Sequence, residues 1–306
     1  MSADVSERTI QEMAAELGVE CRLNEPISRH TTMGVGGPAP WFLLPRDAAS
    51  LAGLVRELSS AAIAFRVLGA GSNLIVADEG LRTPVISTEK LAPDLSRAAG
   101  RVRAGAGMLL PRLVRELAAL GLSGLEFAEG IPGSVGGGLR MNAGAGGRWL
   151  GDLVREVVCV TPRGALESRA TTKADFGYRR SFIGAEQLVV VEAVFEGAPD
   201  DPDSIRARMS DSRAYRLATQ PLSERSSGCV FKNPEGGSAG AILEGLGLKG
   251  LSVGGAVLSD RHANFIVNRG ATAADVLHLA ERVRDEVLRH AGVALEFEVV
   301  VWRDEA

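Results

Sequence analysis

The hydrophobic positions of the chain follow two different periods. Leu51, Leu54 and Leu58 recur at helical spacing after a proline, which predicts a helix over residues 47–60. Similar patterns predict helices over residues 111–120 and 204–216, and a Thr-Ala-Ala-Asp sequence typical of a capping box opens another over about 272–292. Short β-branched runs predict strands over residues 64–68, 73–77, 84–88, 154–161, 188–195 and 295–302. The chain is therefore expected to have a mixed α+β fold.

The composition favours a globular protein that binds small molecules. The 306 residues are 45% hydrophobic, and the formal net charge of -4 gives no basic field to attract nucleic acid or an anionic membrane. The N-terminus lacks the features of a signal peptide, and no apolar run reaches the roughly 18 residues of a membrane span. Cys21, Cys159 and Cys229 are far apart, which fits reduced thiols, and no metal-binding cluster is apparent. We expect a cytoplasmic protein.

Glycines are concentrated in two segments, residues 66–76 and residues 124–147. Glycine lets backbone amides approach a ligand closely, and successive amides can form a concavity that binds a pyrophosphate. Neither segment is a standard nucleotide fingerprint, because Gly69-Ala70-Gly71 lacks the third glycine of the Rossmann pattern and no phosphate-binding P-loop sequence occurs. Spacing alone therefore leaves dinucleotide binding and tight turns with close packing equally open.

Six parts of the sequence match one protein family in order and spacing. They are HTTMGVGGPA at residues 30–39, VLGAGSNLIV at 67–76, GLEFAEGIPGSVGG at 124–137 with RMNAGAGG at 140–147, FGYRRS at 176–181, GCVFKNP at 228–234 and HANFIVN at 262–268. Through these motifs the chain resembles the UDP-N-acetylenolpyruvoylglucosamine reductases, the MurB family, over about residues 24–299. Only a short segment separates Tyr178 from the strand predicted at residue 188. In this the chain resembles the shorter subtype of the family, which lacks a substrate-covering insertion.

This resemblance implies a fold and a domain order. The family has an FAD-binding domain of the vanillyl-alcohol-oxidase (PCMH) type, made of two α+β subdomains, and a C-terminal α+β substrate-binding domain. We accordingly expect an N-terminal extension over residues 1–23, FAD-binding subdomains over 24–90 and 91–197, and the substrate-binding domain over 198–306. The polar sequence GAPDDPD at residues 197–203 is a plausible boundary for the last domain.

The resemblance also implies a reaction. NADPH reduces non-covalently bound FAD, and hydride then passes to C3 of the enolpyruvyl group of UDP-N-acetylglucosamine enolpyruvate, which gives UDP-N-acetylmuramate for peptidoglycan biosynthesis. By resemblance, two glycine-rich loops and the segment after them hold the cofactor. The predicted cofactor-binding residues are Gly69, Ala70, Gly71, Ser72, Asn73, Leu74, Gly130, Ile131, Pro132, Gly133, Ser134, Gly136, Gly137, Asn142, Ala143 and Gly144.

Two residues match family positions that could stabilise the negative charge and donate the proton in this reaction. Hydride addition at C3 leaves negative charge at C2, so the site needs a cation and a proton donor. Arg179 matches the family's active-site arginine, whose guanidinium suits a carboxylate or an enolate. Cys229 occupies the position of a serine proton donor, and a thiol with an ordinary pKa of roughly 8.5 is protonated at neutral pH. The alternative is that Cys229 is a small buried residue and that water supplies the proton.

A third catalytic position lies near the C-terminus. Glu298 matches the glutamate of the family's Leu-x-x-Glu-Val segment, but Glu296 shares a strand face with it, so spacing leaves both residues open. Tyr178, beside the arginine, and Lys232 and Asn233, beside the cysteine, are predicted to bind substrate.

Two other classes of function stay open at this point. Another flavoprotein oxidase of the same fold would consume oxygen with a simple alcohol. A non-catalytic nucleotide-binding regulator would keep the glycine-rich loops, but it would have no reason to combine Arg179, Cys229 and Glu298. His30 raises the question of a covalent flavin, as in related oxidases, and the resemblance argues against such a link.

Overall fold

The computed structural model describes residues 3–91, 95–98 and 100–304. The helices in these residues are α1 (Ala3–Glu16), α2 (Ala48–Ser60), α3 (Leu110–Ala119), α4 (Val135–Arg140), α5 (Phe182–Ala185), α6 (Pro202–Thr219), α7 (Ala239–Gly245) and α8 (Ala273–Ala291). None of these described helices is both long enough and apolar enough to cross a membrane.

The strands are mostly short. They are β1 (Glu20–Pro26), β2 (Pro38–Leu44), β3 (Arg66–Leu68), β4 (Leu74–Val76), β5 (Val85–Ser87), β6 (Ser96–Ala98), β7 (Arg101–Gly105), β8 (Leu122–Ser123), β9 (Gly144–Ala145), β10 (Arg148–Trp149), β11 (Val154–Val160), β12 (Leu166–Ala170), β13 (Phe176–Gly177), β14 (Arg180–Ser181), β15 (Val189–Glu196), β16 (Ala198–Pro199), β17 (Ser226–Cys229), β18 (Ser252–Val253), β19 (Ala256–Leu258), β20 (Phe265–Asn268) and β21 (Val300–Trp302).

The four helices predicted from periodicity are confirmed as α2, α3, α6 and α8. Asp47 caps α2, because its side chain accepts a hydrogen bond from the Ser50 N–H at 2.8 Å. The predicted capping box at the start of α8 is also present, with the Asp275 N–H donating to Thr272 Oγ1 at 3.1 Å. Gly292 ends α8 in the left-handed conformation.

The strand predicted over residues 295–302 is shorter in the structure, where only Val300–Trp302 form β21. Before it, a single bridge joins Phe231 to Phe297. The N–H groups of Glu298 and Val299 both point to the carbonyl oxygen of Val230, at 2.8 and 3.4 Å. This shared acceptor breaks the regular ladder that a strand requires.

The chain forms two compact units, each discontinuous in sequence. Unit 1 comprises Met1–Asn24, Pro40–Ala70 and Thr83–Ala214, and unit 2 comprises Glu25–Ala39, Gly71–Arg82 and Tyr215–Ala306. These units cut across the domain bounds expected from the sequence, which were drawn for functional domains and stay a prediction.

Unit 1 contains two hydrophobic cores. In the first, α2 packs with parallel strands β2, β5 and β3, and its fully buried residues include Leu43, Leu54 and Ile86. In the second, α3 and α4 pack with the antiparallel sheet of order β12-β11-β15-β7-β6, around residues such as Leu113 and Phe195. The alternating burial of β7 fits a sheet with one face on the core.

In the described residues of unit 2, one hydrophobic core is built from α7, α8 and the antiparallel sheet of order β17-β20-β19-β18. Fully buried residues of α8, among them Leu279 and Val283, lie in this core beside Phe231. Strand β21 pairs in parallel with β4, with Val300 opposite Leu74. This pairing joins residues 74–76 to the C-terminal part of the chain.

Candidate active site

The turn that carries Arg179 belongs to unit 1. Strands β13 and β14 pair with Gly177 opposite Arg180, so Tyr178 and Arg179 form the turn of a short β-hairpin, hereafter the arginine hairpin (residues 176–181). Arg179 has a φ of 54°, in the left-handed region that most side chains avoid. Tyr178 is 44% exposed and lies edge-on to Trp149, with ring centroids 5.8 Å apart. The hairpin therefore holds a guanidinium and an aromatic ring side by side in a constrained turn.

The two predicted FAD loops approach each other within unit 1. A Cβ built on Gly69 would lie 2.6 Å from Ser134 Oγ, so a side chain at Gly69 would force Ser134 to move. Ser134 caps α4, and the N–H groups of Val135 and Gly136 donate to carbonyls after β7 at 2.8 and 2.9 Å. These two amides are already used by the protein. The close backbone approach at Gly69 is nevertheless what a cofactor cradle needs, so this part of the predicted loop fits FAD.

The rest of the second loop has the backbone of a glycine-dependent turn. Gly130 and Gly133 have φ values of 77° and 143°, which only glycine adopts without strain. Between them, Ile131 packs against the second core of unit 1, while Pro132 is exposed. The predicted residue Gly144 has a packing reason of its own, because a Cβ there would lie 2.3 Å from the Trp149 ring.

In the first glycine-rich loop, the predicted residues after Ala70, which are Gly71 to Leu74, belong to unit 2. Gly71 has a φ of 59°, and a Cβ on it would lie 1.9 Å from the His30 carbonyl oxygen. In the part of the chain that the structure describes, the N–H groups of Ser72 and Asn73 have no protein acceptor. Such amides are suited to anionic oxygens, so this turn also fits a pyrophosphate. Leu74 is buried in β4.

Cys229 ends β17 at a β-bulge in unit 2. Gly228 precedes it with a φ of 78°, and the pairing of β17 with β20 shifts register between Ser226 and Cys229. The bulge leaves Cys229 partly exposed, with its neighbour Val230 fully buried. A bulge re-aims the side chain at its edge, as a site residue requires.

Glu298 lies beside the cysteine segment. Its N–H donates to the carbonyl oxygen of Val230, the residue after Cys229, at 2.8 Å. Its own carbonyl oxygen accepts from Asn73 Nδ2 at 3.0 Å. Two of the three predicted catalytic residues therefore lie on hydrogen-bonded neighbouring segments of unit 2, while Arg179 belongs to unit 1.

The two C-terminal glutamates have different surroundings. The Glu296 side chain is 75% exposed and pairs with Lys232, whose Nζ lies 2.9 Å from a carboxylate oxygen. Glu298 is half-buried. This difference favours Glu298 as the active-site glutamate, which stays a prediction.

The side chain of Asn233, a predicted substrate-binding residue, accepts a hydrogen bond from the Ala239 N–H at 3.0 Å, at the start of α7.

Asn264 is a residue beside the proposed site for which the sequence motifs predicted no role. Its side chain is 2% exposed and spans the backbone of Phe231, donating from Nδ2 to the carbonyl at 2.8 Å and accepting from the N–H at 2.9 Å. Its carbonyl also accepts from the Val230 N–H at 2.9 Å. Asn264 thereby fixes the segment that follows Cys229. Its place in the HANFIVN motif was the available signal.

The other two thiols, Cys21 and Cys159, have raised pKa values. Burial, followed by the nearby carboxylate of Glu167, raises the pKa of Cys159 to about 11. Burial also raises the pKa of Cys21. Both thiols are therefore poor sources of thiolate at neutral pH.

His30, considered above for a covalent flavin link, has its Nε2 atom 2.9 Å from a carboxylate oxygen of Glu25.

Comparisons with known proteins assign the class of fold. Residues 39–168 match a family model described as an FAD binding domain, and residues 220–302 match one described as the C-terminal domain of UDP-N-acetylenolpyruvoylglucosamine reductase. The match to the solved structure of a berberine bridge enzyme variant, a reticuline dehydrogenase, spans 63% of this chain and 44% of that enzyme, at 13% identity and a TM-score of 0.50. That likeness concerns the fold alone. The chain is an FAD-dependent oxidoreductase with the vanillyl-alcohol-oxidase type of FAD-binding fold.

Two further proteins resemble nearly the whole chain. The UDP-N-acetylenolpyruvoylglucosamine reductase of Heliobacterium modesticaldum is 45% identical over 282 residues, which cover 92% of this chain and 90% of the relative. The crystal structure of the reductase (MurB) from Thermus caldophilus covers 93% of this chain and 100% of its own, with 36% identity and a TM-score of 0.80. The chain belongs to the UDP-N-acetylenolpyruvoylglucosamine reductase family, as the sequence motifs predicted.

Proposed function

We propose that this chain reduces UDP-N-acetylglucosamine enolpyruvate to UDP-N-acetylmuramate, a step of peptidoglycan biosynthesis, with NADPH as reductant and FAD as carrier. The observation that carries the proposal is the hydrogen bond from the Glu298 N–H to the carbonyl oxygen of Val230, at 2.8 Å. It joins the segments of the two residues proposed for acid–base chemistry, Cys229 and Glu298. Family membership supports the reaction, and this link supports the proposed site.

FAD, when bound, supplies the hydride that originates from NADPH. The chain's part is to hold the cofactor, and the two glycine-rich loops fit this role because they pack closely where Gly69 meets Ser134, which leaves no room for a side chain at Gly69. The residues proposed to hold it are those predicted from the sequence except Asn142, whose side-chain amide is bonded to backbone through both its oxygen and its nitrogen. The amides of Ser72 and Asn73 are proposed as donors for phosphate oxygens.

Cys229 is the proposed proton donor. Hydride addition at C3 of the enolpyruvyl group must be balanced by a proton at C2, so the S–H bond of Cys229 breaks as a C–H bond forms. The thiolate then regains a proton from solvent. A partly exposed thiol at the end of a strand meets both needs, because substrate and solvent can both reach it.

Arg179 stabilises the negative charge that develops on C2 and the adjacent carboxylate. Its guanidinium is always protonated and planar, and it can donate two parallel hydrogen bonds to a carboxylate. The constrained turn limits the conformations of the arginine before substrate binds, which lowers the cost of placing the charge.

The remaining proposed residues bind the substrate or complete the site. Tyr178 offers an exposed ring next to Arg179, and Lys232 and Asn233 follow Cys229 closely enough to meet substrate phosphate or carboxylate. Lys232 would exchange its exposed partner Glu296 for a substrate anion at little cost, because exposed ion pairs contribute about 0–1 kcal/mol. A cytoplasmic site of action is part of the proposal, since free thiols persist in reducing compartments.

Substitution of Cys229 tests the proposal. Cys229→Ala should leave the bleaching of the flavin by NADPH intact and lower turnover of the enolpyruvyl substrate by roughly 100-fold or more, because a positioned acid contributes about that much. Cys229→Ser should retain part of the turnover. The matched control is Cys21→Ala, which removes a half-buried thiol elsewhere and should keep wild-type turnover.

Solvent isotope gives a second readout. Wild-type enzyme in D2O should form product with deuterium at C2, because both possible donors, the thiol and water, exchange with the solvent; the Cys229 variants then decide between these two donors. Full turnover in Cys229→Ala would remove the donor role. Oxygen consumption with simple alcohols, without reduction of the enolpyruvyl group, would favour a flavoprotein oxidase.

A further inference from the structure

The side chain of Asn142 connects the second glycine-rich segment to the arginine hairpin. It is 3% exposed. Its Nδ2 donates to the Gly177 carbonyl oxygen at 3.0 Å, and its Oδ1 accepts from the Gly151 N–H at 3.0 Å. The partners fix the orientation of the amide, because a carbonyl can only accept and an N–H can only donate. All these residues belong to unit 1.

We propose that Asn142 is a positioning residue for Arg179, a role distinct from the cofactor contact predicted from the sequence. This inference rests on the function proposed above and goes beyond it by assigning a residue that acts through another. Gly177 is two residues before Arg179, and its carbonyl group is held by Asn142. A buried amide whose oxygen and nitrogen both bond to backbone is suited to fixing a turn.

The arginine hairpin needs such support because it is very small. Each strand has two residues, and isolated hairpins of larger size are only marginally stable in water. A second tie comes from Ser181, whose Oγ donates to the Arg140 carbonyl oxygen at 2.8 Å. Both strands of the hairpin are thus tied to residues 140–142, and the Asn142 bond is the one next to the turn.

The backbone of Asn142 restricts what can replace it. Its φ of 43° lies in the left-handed region, which asparagine, aspartate and glycine tolerate better than other residues. Asn142→Asp keeps the shape, the φ and the acceptor for Gly151, and its carboxylate replaces the donor to Gly177 by a charged oxygen that repels the Gly177 carbonyl. Asn142→Gly removes both bonds without strain in the backbone. Thr171→Val is the matched control, since it removes a side-chain bond to the Val154 carbonyl, 3.0 Å long, elsewhere in unit 1.

The first measurement does not depend on the reaction. Hydrogen exchange of the backbone amides at residues 176–181, in FAD-loaded enzyme, should accelerate at least about 10-fold in both Asn142 variants, because each loses at least the hydrogen bond to Gly177. It should stay unchanged in Thr171→Val. Unchanged exchange in both Asn142 variants would overturn the positioning role, whatever reaction the enzyme performs.

The second measurement is the rate at which NADPH-reduced enzyme is reoxidised by UDP-N-acetylglucosamine enolpyruvate. Misplacement of a reacting group by about 1 Å can cost on the order of 100-fold, and we expect a loss of that size in both Asn142 variants with unchanged FAD content. In an Arg179→Ala background, the same substitutions should add less than about 2-fold, because their effect passes through the arginine.

The outcomes are distinguishable. A wild-type enzyme that this substrate does not reoxidise contradicts the proposed function, while hydrogen exchange still decides the positioning role. Wild-type reoxidation together with full rates in the Asn142 variants contradicts the positioning role alone. An equal loss with and without Arg179, or loss of FAD from the variants, would also contradict it and would return Asn142 to the cofactor site.

Discussion

Glu296 and Glu298 have the same charge and are only two residues apart, yet their backbones are held differently. The Glu296 carbonyl accepts from the Lys232 N–H at 2.9 Å, and its side chain extends into solvent. Glu298 is bonded at its N–H to Val230 and at its carbonyl to Asn73. Only Glu298 therefore has a backbone fixed from two directions next to the cysteine segment.

This contrast supports a prediction with an internal control. Glu298→Gln should lower turnover of the enolpyruvyl substrate by roughly 100-fold, because an amide cannot take part in proton transfer. Glu296→Gln should stay within about 3-fold of wild type, because it removes an exposed charge. Steady-state rates at saturating NADPH check both variants. The reverse order of losses would assign the active-site role to Glu296.

Single residues also show what sequence reasoning can reach. The motifs located Arg179, Cys229 and Glu298, because residue type and order suffice for that. They could not tell where the side chain of Asn142 points, since an asparagine in a glycine-rich segment serves a ligand or the backbone equally well. Asn264 was likewise inside a matched motif, and its two bonds to Phe231 depend on strand pairing that no local pattern reveals.

At the scale of elements, α8 begins with two carboxylates at its N-terminus. Asp275 completes the capping box with Thr272, and Asp78 accepts from the N–H groups of Ala273 and Ala274 at 2.8 and 2.9 Å. The partial positive charge of a helix N-terminus stabilises both. Asp78 comes from the segment after β4, so it also ties that segment to the helix.

Removal of the distant carboxylate should weaken unit 2. Asp78→Ala should lower the free energy of unfolding by about 1–2 kcal/mol, the usual effect of losing a cap at a helix N-terminus. Glu79→Ala, which removes the exposed neighbouring carboxylate, is the control and should change it by less than about 0.5 kcal/mol. Denaturant unfolding measures both, and equal effects would show that Asp78 contributes no more than surface charge.

The elements show the reach and the limit of periodicity. The starts of α2 and α8 could be predicted because the residues that form each cap lie within three positions of each other in the sequence. Helix α4 was not, since three of its six residues are glycine, a poor helix former, and the helix is held by hydrogen bonds from Val135 and Gly136 to the loop after β7. In α4, tertiary hydrogen bonds therefore stabilise a helix that the low helix propensity of glycine disfavours.

At the scale of the compact units, Glu126 forms a buried connection within unit 1. It accepts from the Gly124 N–H at 2.8 Å and from Arg208 of α6 at 2.8 and 3.1 Å. Burial alone would raise the pKa of Glu126, but the hydrogen bonds from the backbone and from Arg208 outweigh it, so the pKa lies below its ordinary value of 4.5.

This shift predicts a dependence of stability on pH. A group whose pKa is lowered by folding stabilises the folded state above its ordinary pKa, and this contribution is lost as pH falls through the lowered value. At pH 7, Glu126→Gln should lower the free energy of unfolding by about 2 kcal/mol, as for a buried bond to a charged group. The difference from wild type should shrink below about pH 4.5.

An exposed pair on the same helix serves as the control. Asp203→Asn removes the partner of Arg206, where both side chains are more than half exposed, and should change the free energy of unfolding by less than about 1 kcal/mol. A constant difference between wild type and Glu126→Gln from pH 7 to pH 3 would contradict the linkage.

The arrangement of the compact units was beyond local patterns. Residues 74–76 pair with residues 300–302, so a segment near the predicted FAD loop belongs to the same unit as the C-terminus. Hydrophobic periodicity identifies strands but does not identify their partners when the partners lie more than 200 residues apart. The family resemblance supplied the fold that periodicity could not.

The most direct test of the proposed reaction is an anaerobic experiment on purified enzyme reconstituted with FAD. Addition of NADPH should bleach the flavin absorption band, and addition of UDP-N-acetylglucosamine enolpyruvate should restore it with formation of UDP-N-acetylmuramate. A flavin that bleaches but stays reduced in the presence of this substrate would contradict the proposed reaction and leave only the flavoprotein fold.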